Sequence, residues 1–554
     1  MYCHTIWLYA SISFHGVKMG FWNLKTKSVL IIDDFPQMRA MLSSMLKNFE
    51  PKEVHQAGNG KEALEKISKH HFDIILCDYN LGDGKDGQQV LEEAKYQKIM
   101  PFYTLFIMVT AENTNAMVMG AAEHMPDAYL SKPINKTVLL SRMQKLLAKK
   151  QALHPLSDAM ENNNASQAIK CCDELLAKDI KFKFEVLKIK CEFLLKLAKY
   201  DEALAIATDV LKERNIPWAM MVVGKVQMHN KDYYNAELQF RGIIELDKNF
   251  MPGYDSLAEV MKLTENFEEA QTVLLDAVKV SPKSILRQRS LADVLEINDE
   301  KTLLEKTRKK VVDIGKASCL KKSTDYTKLA KAYIDNNSPN KAIDILGETV
   351  KVFRGDDEVV LGSKVQLADV YKKTNNTAMY KDAVEASLKL VAKDKKLAKG
   401  EVAIELARAC MDLGKVDESK DLVSSVVKDY SDDEEILKSI VQMYADAGME
   451  EEGEQLIAAA KGEVIKTNNE GVGLIKEGKI SDAINLFQVA VREMPNNITV
   501  NLNVAMALYL NMKSAGFNER TQKQVFEYLD VVFERDANNA KALDLRSKCL
   551  LLGK

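Results

Sequence analysis

The sequence holds 554 residues, of which 46% are hydrophobic and 28% charged. Its 77 lysines and arginines against 80 aspartates and glutamates, a formal net charge of -3, lack the basic excess of a dedicated nucleic-acid binder. Eleven prolines and 25 glycines are few helix breakers for this length, which argues for a mostly helical protein and against collagen-like, disordered and all-β classes.

Residues 1–24 match no pattern further along and are expected to form an extension of no structural importance, with Met19 as an alternative translation start. No apolar run approaches the ~18 residues that would cross a bilayer, so no membrane partner is expected. None of the eight cysteines forms a CxxC pair. Most lie in apolar helical patterns, which predicts reduced, buried thiols and a cytoplasmic location.

Residues 25–150 alternate short apolar runs with amphipathic helical stretches. SVLII (28–32) ends at Asp33-Asp34 and precedes a helix over 36–49. EVHQA (53–57) precedes GKEALEKI (60–67), and DIILC (73–77) ends at Asp78 before a helix over 88–97. LFIMV (105–109) ends at Thr110 with a helical stretch after it. AYLS (128–131) ends at Lys132-Pro133 before a helix over about 136–149. Five buried strands alternating with helices predict a doubly wound parallel sheet, an α/β module.

Asp33, Asp34, Asp78, Thr110 and Lys132 follow four different strands at their carboxyl ends, where such sheets bind ligands. Three converging carboxylates call for a neutralising cation, and hard oxygen donors with room for water suit Mg²⁺. A lysine and a hydroxyl alongside can bond phosphoryl oxygens. One carboxylate would then act as nucleophile and form an acyl phosphate.

IDDFPQMR, DIILCDYN, MVTAEN and AYLSKP, in that order over residues 28–150, resemble the motifs of the response-regulator receiver domain, with its flavodoxin-like fold. The resemblance implies that Asp78 is the phosphorylation site. Asp33, Asp34 and Asp78 would hold Mg²⁺ together with the backbone carbonyl of Asn80. Lys132 would pair with the phosphoryl group, the Thr110 hydroxyl would move to bond it, and Tyr129 would be the aromatic switch that turns inward. A histidine kinase or phosphotransfer protein would be the donor, and receivers of this kind often pair on activation, which leaves room for a homodimer. The loop NLGDGKDGQQ departs from the family pattern. Gly82 stands where the family usually has proline, and the Asp86-Gly87 pair comes one residue late.

From residue 151 to 554 the β-type runs stop and a repeat appears. A small residue follows an aromatic or apolar one at Ala168, Ala203, Ala236, Ala270, Ala342, Ala383, Ser419, Gly453 and Ala483, with a degenerate copy expected near Leu304. Gly471, Ala483, Phe487, Ala490 and Pro495 make one of the fullest signatures. The period of about 34 in paired helices resembles the tetratricopeptide repeat, which implies an all-α superhelical array of nine or ten helix pairs. It is expected to end in a longer unit after Phe517 and a capping helix near 540–552. Asn162–Asn164, Asn336-Asn337 and Asn375-Asn376 read as interhelical turns, and the basic cluster from Arg308 reads as a solvated helix face, with a basic patch for an acidic partner as the alternative. No catalytic constellation appears in the array, so the chain is not expected to be an enzyme.

The two parts together predict a two-component response regulator. Phosphorylation of Asp78 would change how the concave face of the repeats engages a protein or peptide partner. A constitutive scaffold with a silent receiver, and a phosphate sink for a kinase, are the alternatives.

Overall fold

Short strands of unbroken apolar sequence must be covered on both faces. The computed structural model, which describes residues 24–47, 49–111, 126–178 and 181–552, covers them with helices around one sheet. Strands β1 (Ser28–Ile32), β2 (Glu53–Ala57), β3 (Ile74–Asp78), β4 (Leu105–Thr110) and β5 (Ala128–Ser131) are parallel, in the order β2-β1-β3-β4-β5. Every residue of β1, β3 and β4 is buried, whereas β2 at the edge exposes its first residue.

Alternate side chains serve opposite layers, as the two-residue period of a strand requires. Leu30, Ile32, Ile75 and Phe106 pack with Ala63 of α2 (Gly60–Lys69) and with Val90 and Leu91 of α3 (Gly87–Tyr96). On the other face Val29, Ile31, Leu76 and Ile107 pack with Leu42 and Leu46 of α1 (Pro36–Lys47) and with Leu139 and Met143 of the helix Lys136–Leu153. The result is the flavodoxin-like α/β layering read from the sequence. The expected extension up to residue 23, the Glu112-Asn113 end of MVTAEN and most of the helix after Thr110 lie outside the described residues.

Beyond Ser157 the described residues form only helices and turns. The helix Lys136–Leu153 passes through the turn His154–Leu156 into the helix Ser157–Glu161. There Leu153 and Leu156 share a core with Ala168, Cys172 and Phe193. The helix Lys136–Leu153 runs across 150/151, and by contact the chain divides between Asp325 and Tyr326 into two compact units. Cys77, Cys172, Cys191, Cys410 and Cys549 are buried free thiols, and burial pushes Cys172 and Cys191 up to about 12.

A backbone feature marks the repeat independently of side chains. Asn163, Ala198, Lys231, Glu265, Asp299, Asn337 and Asn375 all have φ between 48 and 61°, and Gly414, Gly448 and Gly478 have φ between 71 and 80°. Each is the left-handed residue that closes one helix before the next begins. Five residues after it stand Ala168, Ala203, Ala236, Ala270, Leu304, Ala342, Ser419, Gly453 and Ala483. The degenerate copy thus sits at Leu304, on the helix Lys301–Gly315.

One position moves. Five residues after Asn375 comes Tyr380 rather than Ala383, and Tyr380 is the fourth residue of its helix, as Ala342 is of the helix Pro339–Val352. Ala383 lies three residues on, on the same helical face, which is why the small-residue pattern selects it. The Tyr380 ring is accommodated at the tight position, its hydroxyl donating to Asp412 Oδ2 at 3.0 Å or Ala409 O at 3.3 Å.

One junction differs from the others and one expectation changes. The Gly453 and Ala483 repeats are joined by one continuous helix, Glu450–Lys476. The sequence there, KGEVIKTNN, lacks the proline that accompanies the turns at Pro217, Pro252, Pro282 and Pro495. In the basic cluster Lys309 and Lys310 are exposed, as a solvated face requires, but Arg308 is buried and pairs with Asp293 at 2.8 Å and Glu296 at 2.9 Å. It stands four residues after Leu304, the place that Phe240 holds after Ala236, so a charged side chain occupies an apolar slot and carries its counterions with it.

Candidate acid-pocket site

The register of the sheet decides which polar residues meet. Ile32 pairs with Cys77, so the next residues, Asp33 just after β1 and Asp78 at the end of β3, are neighbours. Asp78 pairs with Val109, and Thr110 with Ser131, which brings Thr110 and Lys132 alongside. Carboxylate oxygens of Asp33, Asp34 and Asp78 lie within 4.8 Å of one another. This is the edge where the strand order switches between β1 and β3.

Lys132 crosses the cluster. Its Nζ donates to Asp33 Oδ2 at 2.9 Å and Asp78 Oδ2 at 2.8 Å, and its backbone N–H donates to Thr110 O at 2.7 Å. Burial by itself would lower its pKa, but the bonds to Asp78 and Asp33 outweigh that and hold it above the usual lysine range. Asp78 is raised, because burial outweighs the hydrogen bond and charge of Lys132.

Three carboxylates against one ammonium leave a cluster charge of -2 when all are ionised. Buried charge without a partner is costly, and Asp34 Oδ1 is buried without a hydrogen-bond partner. The donors are all hard oxygens. Together these fit a divalent cation of the Mg²⁺ type better than a soft metal.

The remaining predicted residues take separate places. Thr110 is buried at the end of β4. Tyr129 lies on β5 with its hydroxyl buried and without a hydrogen-bond partner, and burial raises that hydroxyl far above the phenol range. Asn80 is exposed, its side-chain oxygen accepting from Gly82 N at 3.3 Å.

Two features of the site have no assigned role in the sequence reading. Arg39 Nη1 donates to Asp33 O at 2.6 Å and Asp34 O at 3.3 Å, fixing the backbone of the acidic pair. Its place in IDDFPQMR is a signal, though one without a stated mechanism. Gly87 is required by close approach, since a Cβ there would lie 2.1 Å from Asp78 O.

The loop between Asp78 and α3 follows its own course. Gly82 has φ 72° and Gly84 φ 100°, and proline, fixed near -65°, cannot take the first of these conformations. Asp86 caps α3 by accepting from Gln89 N at 2.9 Å, while Gln89 accepts from Asp86 N at 3.0 Å.

Residues 29–144 match the family model described as response regulator receiver domain. The chemotaxis protein CheY-3 of Vibrio cholerae is 26% identical over 122 residues, which are 22% of this chain and 92% of that protein. Among solved structures, Vibrio cholerae CheY4 is 30% identical, with 22% of this chain and 99% of that chain covered and a TM-score of 0.20. The C-terminal part of a TPR repeat-containing protein from Cytophaga hutchinsonii covers 44% of this chain and 97% of its own, at 16% identity and a TM-score of 0.36.

Proposed function

We propose, from the premise that residues 29–144 are a receiver domain of the response-regulator family, that this protein takes a phosphoryl group on Asp78 and passes the change to its helical repeats. The observation that carries the reading is the cluster of Asp33, Asp34 and Asp78, in which Lys132 bridges the two buried members, Asp33 and Asp78. The donor would be a histidine kinase or a phosphotransfer protein.

Asp33, Asp34 and Asp78, with the carbonyl of Asn80, would hold Mg²⁺, which when bound supplies positive charge to offset that of the incoming phosphoryl oxygens. A carboxylate oxygen of Asp78 forms the new bond to phosphorus. The phosphorus–nitrogen bond of the phosphohistidine breaks with its electron pair left on the imidazole. Lys132 exchanges its bond to Asp78 for one to a phosphoryl oxygen, and Thr110 supplies a hydroxyl to another. Charge-assisted bonds are worth roughly 1.5–3 kcal/mol each. Two of them approach the ~5.5 kcal/mol that moves a two-state equilibrium from 1:99 to 99:1. Tyr129, with its buried unpartnered hydroxyl, fits a side chain whose position follows Thr110.

The output would be protein–protein interaction through the repeats, which take an extended peptide or a helix. Incubating the full chain with Mg²⁺ and acetyl phosphate is expected to place one phosphoryl group on Asp78. Label that persists in Asp78→Asn refutes the assignment. Absence of label leaves a scaffold with a silent receiver. Pull-downs with and without beryllium fluoride then separate switch from sink, since a sink retains the same partners in both states.

A further inference from the structure

The loop that departs from the family pattern is held by the repeats. Lys283 lies in the turn between the helices Phe267–Val280 and Ile285–Ile297. Its Nζ is 3.0 Å from Asp86 Oδ2 and 4.9 Å from the centroid of the Tyr79 ring. One ammonium therefore touches both ends of the segment Tyr79–Asp86, in which Asn80 follows directly on Tyr79. Alongside, Lys85 Nζ donates to Ala317 O at 2.5 Å, and Ser318 Oγ donates to Glu92 Oε2 at 3.0 Å.

Both repeat turns are anchored to the same helix. Gln288 Nε2 donates to Pro282 O at 3.0 Å, which braces the turn carrying Lys283. Arg289 reaches the other turn, donating to Leu320 O at 2.5 Å and to Asp325 at 2.7 and 2.9 Å. Arg287 of that helix is buried and forked onto Asp255 at 2.7 and 2.8 Å. The helix Ile285–Ile297 thus braces both turns, one touching the receiver loop through Lys283 and the other touching that loop and α3 through Ala317 and Ser318.

We infer that Lys283 is a positioning residue for the loop Tyr79–Asp86, and that cluster occupancy reaches the repeats through this contact. The inference rests on the phosphoacceptor reading above and names where its signal leaves the receiver. A cation or phosphoryl mimic that fixes the Asn80 carbonyl must fix the backbone between the two points Lys283 touches. Coupling between sites is reciprocal, so Lys283 must in turn affect ligand affinity at the cluster.

The test uses the full chain and titrates Mg²⁺ in the presence of beryllium fluoride by calorimetry. Lys283→Met is expected to shift the affinity by about fivefold or more, within the usual range of such couplings, and Lys283→Arg to restore it to near the parent value. Backbone hydrogen exchange at residues 281–284 and 316–320 is expected to change on ligand addition in the parent and much less in Lys283→Met. Binding that is equal in all three proteins, with exchange at those residues indifferent to ligand, overturns the inference while leaving Asp78 as acceptor. Binding unaffected by Asp78→Asn overturns the acceptor reading itself, and this inference with it.

Discussion

Lys132 holds two buried carboxylates at once, and its side chain and theirs are each less than 15% exposed. Removing it leaves Asp33 and Asp78 facing each other with no counter-charge, the situation that makes loss of one partner in a buried pair expensive. Lys132→Met is expected to cost about 3 kcal/mol in chelator-treated protein, measured by urea denaturation. Saturating Mg²⁺ should recover part of that loss, because binding to the folded state alone stabilises it. A variant as stable as the parent without Mg²⁺ would show that the lysine does not neutralise the cluster. Asp33, Asp34, Asp78, Thr110 and Lys132 were legible in the sequence because each stands at or just beyond the carboxyl end of a predicted strand, so that strand register brings those ends together. Lys283 was not legible. Its partner Asp86 lies 197 residues away, and nothing local distinguishes it from other lysines in interhelical turns.

At the scale of elements, the repeat is built on close approach between the two helices of a pair. A Cβ on Gly471 would lie 2.2 Å from the Phe487 ring, and one on Gly224 would lie 2.5 Å from the Phe240 ring. Adding bulk there overpacks a filled contact. Gly471→Val is expected to destabilise the second unit by about 2 kcal/mol, read as a lower urea midpoint, with Gly473→Val, where a Cβ meets nothing within 4 Å, as the near-neutral control. Equal midpoints would mean the helices can slide apart freely. The small-residue signature was readable because that contact fixes residue size. It misplaced Ala383 because a tyrosine can occupy the same slot when its hydroxyl finds Asp412. Among the described residues a left-handed residue with φ between 48 and 80° closes the first helix at ten of these turns, yet seven of those residues are not glycine, so composition alone could not reveal them.

On the scale of the whole chain, the division between Asp325 and Tyr326 differs from the sequence boundary at 150/151. A composition shift marks where β-type patterning ends, whereas contact is decided by which helices pack together. Toward the end of the chain, the helix Ala540–Leu552 lays Ala542, Leu545 and Cys549 into the cluster of Val525, Leu529 and Val532. Repeat arrays need such covers for solubility. Deleting residues 540–554 is expected to turn a well-defined chromatographic peak into high-mass material, and an unchanged elution volume would count against that role. The uncut helix Glu450–Lys476 bears on melting order. A stack of helix pairs behaves as a row of neighbours that can open one after another. Two repeats that share a single rod have no joint between them, so opening either one frays the backbone of the other, and the pair must melt as a block.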